Sequence, residues 1–128
     1  MDIMKSDNIT DLLQSYLDVQ TRRSQVIAGN IANTDTPGFV AKEVKFDDFL
    51  REAARQSQLP PNQQNLNSLS SQMTVVDQDS GVIGIDGNTV DPGHEMAELA
   101  QAGSSFNFGA KMLQSRLRLL RTAIREGK

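Results

Sequence analysis

From Met96 to Ile124, apolar or small residues return at Met96, Leu99, Gly103, Phe106, Ala110, Leu113, Leu117, Leu120 and Ile124. The steps alternate between three and four without a break, which is the a/d seam of a helix that packs lengthwise along a partner. Gly103 and Ala110 are its small members, where a partner is expected to come close. Asp91 followed by Pro92 gives an N-cap and a proline at the first helical position. Glu95 and Glu98 lie near the start, and Arg116, Arg118, Arg121 and Arg125 gather near the end. Both sets suit the helix dipole. A helix from 92 to about 126 is roughly 50 Å long. A seam of that length needs something equally long to lie against.

The N-terminal part supplies one candidate. Ile9, Leu12, Leu13, Tyr16, Val19, Val26, Ile27 and Ile31 follow a helical period, with Asp7 or Asn8 as the expected N-cap and Asn33 as the end. Gly29 inside it costs on the order of 1 kcal/mol relative to alanine, and suggests a close backbone approach or a weakened last turn. Thr36-Pro37-Gly38-Phe39 then stops the helix. Proline fixes φ near −65° and glycine supplies φ > 0, the pair that a type II turn requires. Val40 to Phe46 alternates partially and reads as extended. Asp47 is the expected cap of a short helix carrying Phe49, Leu50, Ala53 and Ala54 on one side.

The middle is different in kind. Gln56 to Gln72 has two prolines, no charge and little apolar periodicity, and reads as a flexible linker. Thr74-Val75-Val76 and Val82-Ile83-Gly84-Ile85 are β-branched and bounded by Asp79-Ser80-Gly81 and Asp86-Gly87-Asn88. They suggest one small hairpin that needs something to lean on. The fold class is therefore mainly α. Two long terminal helices pair as an antiparallel coiled-coil-like hairpin, with a small β-hairpin or extended region and a flexible polar linker between them. The divisions fall at 1–35, 36–55, 56–72, 73–90 and 91–128.

Composition removes most chemistry. The chain has no cysteine and one histidine, so thiolate zinc sites and multi-histidine sites are excluded, and a histidine-based triad is improbable. His94 falls in the first turn of a helix and reads as an exposed side chain. Asp77-Gln78-Asp79-Ser80-Gly81 hints at a calcium loop, but Asn88 stands where the bidentate glutamate belongs, and a turn is the better reading. Asp47 and Asp48 are adjacent on a helix and do not face one another. No catalytic, cofactor or metal site emerges, and an enzyme is not expected. No run of 18 apolar residues offers a membrane span, and Met1 to Ser6 lacks the basic start and apolar stretch of a secretory signal.

Charge is polarised. Residues 111–128 carry a net +5, which leaves −8 on the first 110 residues of a chain whose total is −3. Such a helix suits a partner helix, an acidic membrane surface or nucleic acid. No aromatic residue interleaves with the arginines, and the leucines among them favour helix packing. Large apolar residues make up only a quarter of the chain, gathered at its two ends. Two functions from different classes follow: a self-associating helical subunit, or a basic amphipathic-helix binding module for nucleic acid or an acidic membrane.

Ala28-Gly29-Asn30-Ile31-Ala32-Asn33-Thr34-Asp35-Thr36-Pro37-Gly38-Phe39 resembles the N-terminal signature of the bacterial flagellar rod and hook axial proteins. The signature's residues here are Asn30, Asn33, Thr36, Pro37, Gly38 and Phe39. Phe39 to Phe46, Asp86 to Asp91 and the ending Arg118 to Gly127 are similar to short rod components, so that the resemblance covers about two-thirds of the chain. Gly29 departs from the usual alanine, and Pro92-Gly93-His94 departs from a more helix-friendly trio. The resemblance implies a structural subunit of the flagellar basal body, located in the periplasmic rod. It also implies export without a cleaved signal peptide, through the flagellar type III apparatus. Its implied partners are other copies, further rod proteins, and adaptor and MS-ring proteins at the rod base, with no nucleic acid, cofactor or membrane span. Polymer contacts are expected at Leu12, Tyr16, Val26, Ile31, Phe106, Leu113, Leu117, Leu120 and Ile124, with Thr36-Pro37-Gly38 fixing the exit of the chain.

Overall fold

The computed structural model describes residues 3–79 and 81–127, with side chains from Asn8 onward. Ser80 of the expected turn and Lys128 of the basic end lie outside the described residues. The element order is α1 (Ile3–Ala32), β1 (Lys42–Val44), α2 (Phe46–Ser57), three 3₁₀ turns (Pro61–Gln63, Leu66–Ser68, Ser70–Gln72), β2 (Val75–Asp77) and α3 (Pro92–Glu126). The chain is mainly helical, and its terminal helices run antiparallel. Asn30 meets Glu95 near one end of the pair, and Tyr16 lies against Gly109 farther along. Both steps are fourteen residues, two heptads on each helix, which is the register of a coiled-coil-like hairpin.

The start of α1 differs from expectation. Asp7 and Asn8 lie inside the helix, which begins at Ile3 rather than being capped there. Its end is as the sequence predicts. The Asn33 side chain and backbone N–H both donate to the Gly29 carbonyl, and Phe39 N–H closes the turn onto the Thr36 carbonyl at 3.2 Å. Gly38 has φ +75°, as the second central position of a type II turn demands. Asn88, more than fifty residues on in the chain, locks this exit. Its side-chain amide donates to the carbonyls of Asn33 and Thr36, at 2.9 and 2.7 Å.

Three features of the middle correct the sequence reading. The expected hairpin does not form: β2 pairs antiparallel with β1, Val76 opposite Glu43. Val82, Ile83 and Ile85 are exposed and outside any strand. A local turn closes there instead, with Gly84 N–H on the Asn88 carbonyl and Gly87 at φ +80°. The segment 56–72 is not a structureless linker either. Its 3₁₀ turns bury Leu66 and Leu69 with Val19 and Phe49, and Ser15 Oγ donates to the Leu66 carbonyl. Finally, α2 starts one residue before Asp47, at Phe46, with Lys45 as a cap that makes no side-chain bond. Asp47 and Asp48 occupy its first turn. Of its expected apolar side, Phe49 is buried and Ala53 half-buried, whereas Leu50 and Ala54 face solvent.

The core is small and sits between α1, α2 and the 3₁₀ turns. Phe46 stacks on Phe49 with centroids 5.7 Å apart and meets Tyr16 edge-on at 6.1 Å. Arg23 lies over the other part of this cluster, 5.4 Å from the Phe46 centroid. Aromatic pairs of this kind add to simple burial.

Candidate assembly surface

α3 begins as its sequence specifies. Asp91 caps it by accepting from His94 N–H, Pro92 occupies the first position, and the helix runs unbroken to Glu126. His94 is exposed. The seam that α3 turns toward α1, however, is not the bulky one. The fully buried positions of α3 are Glu95, Ala102 and Gly109, a seven-residue step lying one residue before Met96, Gly103 and Ala110. A Cβ built on Gly109 would stand 2.8 Å from the Tyr16 ring, so this glycine, not Gly103 or Ala110, is the point of close approach. Around Gly103 there is open space. Small side chains let helix axes draw together, and Tyr16 fills the room that Gly109 leaves.

Turning small residues inward leaves the large ones over. Met96, Phe106, Leu117 and Ile124 are exposed, Ile124 to 77%, together with Phe108, Met112 and Leu119. Leu113 and Leu120 are half-buried. On α1 the candidate contact residues are distributed differently. Leu12 and Tyr16 pack against the chain's own core, and Val26 and Ile31 are half-buried. The structure thus separates the nine: the α1 members are partly used within the chain, and the α3 members largely are not. A shallow groove of about 250 Å³ opens between α1, α2 and α3, floored by Leu12, Tyr16, Phe49, Leu50, Phe108 and Gly109 and almost wholly apolar.

The end of the hairpin where α1 leaves and α3 begins is polar by contrast. Asn30, 1% exposed, uses its carboxamide like a strand residue, accepting from Lys42 N–H at 2.9 Å and donating to the Lys42 carbonyl at 2.7 Å. It also donates to Glu95 Oε2 at 3.0 Å. Arg23 pairs with Glu98 at 3.0 Å and donates to Gln20. One asparagine therefore ties α1, β1 and α3 together. Sequence reasoning placed Asn30 and Asn33 in a motif but missed Glu95, Ala102, Gly109 and Asn88. The second seven-residue stripe of small residues was the available signal for two of these.

Among the described residues, no helix is long and apolar enough to cross a membrane. No family model matches the chain. Its curated relatives are nonetheless consistent. It is 28% identical over 128 residues to the flagellar basal body rod protein FlgB of Aeromonas hydrophila, across 93% of this chain and 94% of that protein. Over 119 residues it is 29% identical to the FlgB of Bacillus subtilis, covering 91% and 92%. Against the FlgB of Borrelia hermsii, identity rises to 36% over 103 residues, 71% of this chain and 76% of that protein. With 36% identity to a relative of which it covers 76%, the chain belongs to the FlgB family of flagellar basal body rod proteins.

Proposed function

We propose that this structural, non-enzymatic rod subunit builds the flagellar rod by self-assembly through its terminal helices and that the assembled helices carry torque. The segments 1–35 and 91–128 supply the axial core. Residues 36–90 brace α1 through the small sheet and the 3₁₀ turns. The single observation that carries this reading is the rotation of α3. Of its bulky seam, Phe106, Leu117 and Ile124 are left exposed while the small stripe is buried, which leaves apolar surface for another chain to cover. Apolar faces of that size mark interfaces, and contacts that do not close produce helical filaments. The neighbours are other copies, further rod proteins, and the adaptor and MS-ring proteins at the rod base. The chain reaches the periplasmic rod through the flagellar type III export apparatus.

The test is sedimentation velocity of the full chain across a concentration series. Wild type is expected to shift to larger species. Leu117→Asp with Ile124→Asp is expected to remain monomeric with its helical circular dichroism intact, since both side chains are exposed. Assembly that survives both aspartates, or binding of DNA or anionic vesicles that persists when assembly is lost, would replace this reading with the basic-helix module.

A further inference from the structure

A cavity of about 210 Å³ lies at the polar end of the hairpin, between α1, β1 and the first turns of α3. Arg23, Lys42, Phe46, Gln78, Glu95 and Glu98 are among its walls. Two acceptors in those walls have no donor. Glu95 is 1% exposed, and while its Oε2 accepts from Asn30, its Oε1 has no hydrogen-bond partner. The buried Oε1 of Gln78 has none either. Leaving buried acceptors unmet is costly, and a carboxyl oxygen is among the worst to leave so. The cations already present are committed elsewhere, Arg23 to Glu98 and Lys42 to Asp77.

Three uncommitted cations gather at the other end of the molecule. Arg118, Arg121 and Arg125 are exposed, and among the described residues none has an ion pair. They cannot reach their own cavity: the helix between Glu95 and Arg121 is roughly 39 Å long at about 1.5 Å per residue. The charge balance matches this separation, with +5 on residues 111–128 and −8 on the rest.

We propose that the Glu95 cavity is a socket for an arginine from the C-terminal end of α3 in a second copy, so that copies join head to tail. A guanidinium presents five N–H donors in a planar fork and suits a carboxylate, which an ammonium meets as a point charge. The contact is heterologous: each copy offers a socket at one end and an arginine at the other, so it propagates rather than closes. The inference rests on the self-assembly reading above and adds a polar, directional contact to its apolar seam.

The full chain has no cysteine, so introduced thiols report without background. His94→Cys protein mixed with Thr122→Cys protein under oxidising conditions is expected to give a cross-linked heterodimer. The two positions are too far apart for a bridge within one chain. Glu95→Gln, which keeps the acceptor for Asn30, is expected to weaken self-association about tenfold and to flatten its salt dependence. Arg118→Gln, Arg121→Gln and Arg125→Gln together should do the same, and combining them with Glu95→Gln should add nothing. A chain that stays monomeric at every concentration overturns both this inference and the assembly reading. A chain that assembles through Leu117 and Ile124, yet ignores Glu95→Gln and yields no cross-link, overturns the socket alone.

Discussion

At the scale of single residues, two glycines on one helix have opposite duties. Gly109 is buried under Tyr16, and a methyl group there would lie 2.8 and 2.9 Å from ring carbons and 3.0 Å from Leu17 Cδ2. A ring held between α3 and Phe46 has little room to retreat, so Gly109→Ala overpacks the interface. It should destabilise the chain by about 1–3 kcal/mol, read as a lowered thermal midpoint of the monomer. Gly103 lies six residues earlier with nothing within 4 Å of its missing Cβ. There Gly103→Ala should raise helix stability by roughly 0.5–1 kcal/mol. If the two substitutions shift the midpoint in the same direction, the close approach of α1 at Gly109 is wrong. The sequence shows both as small residues on a heptad-patterned helix, and nothing local distinguishes them. Which glycine is covered depends on the rotation of α3, a tertiary fact.

At the scale of elements, the existence of the long helices and the bounds of α3 were legible, and helix rotation was not. The 3–4 alternation locates α3 to within a residue, because capping by Asp91 and Pro92 is local chemistry. The seam it draws leaves Phe106, Leu117 and Ile124 exposed, and the buried stripe is the adjacent one of Glu95, Ala102 and Gly109. The β region failed for a similar reason. Val82 to Ile85 has the composition of a strand, but Asn88 commits the following residues to the exit of α1, and Lys42–Val44 takes β2 instead. Leu66 and Leu69 were invisible in a charge-free polar segment because two leucines suffice to anchor it once α1 provides a surface. α2, besides placing Phe46 and Phe49 in the core, carries a polar cluster on its own surface. Arg55, and then Gln56, hydrogen-bond the Glu52 carboxyl and hold it down at about 2. A carboxyl depressed in the folded state stabilises above its unfolded value and loses that contribution as pH falls. Support for α2 from this cluster should thus be complete above about pH 5 and fade as pH drops from 4.5 toward 2. An NMR titration of the Glu52 side chain should show the low midpoint, and Arg55→Ala should move it upward. A midpoint that stays put after that substitution would remove Arg55 as the cause.

At the scale of the whole molecule, surface area makes the argument for assembly without reference to any one residue. A compact monomer of 14.1 kDa is expected to expose about 6,700 Å². This chain exposes 8307 Å². The excess is about twice the area, about 800 Å², that one partner contributes to a standard specific interface. Seven large apolar side chains of α3 are exposed, whereas the chain's own core is the small cluster of Val19, Phe49, Leu66 and Leu69. On the proposed assembly, a fold with so small a private core and so much apolar helix left over draws part of its stability from its neighbours. Its unfolding must then depend on concentration, because association stabilises only the folded form. Once assembly is saturated, each tenfold rise in concentration adds about 1.4 kcal/mol, which is worth about 5 °C for a chain of this size. Leu117→Asp with Ile124→Asp should flatten that dependence and leave the dilute midpoint close to wild type, since neither side chain contributes to the monomer's core. A midpoint that is the same at every concentration in wild type would mean that the monomer is self-sufficient and that the exposed seam of α3 does not drive assembly.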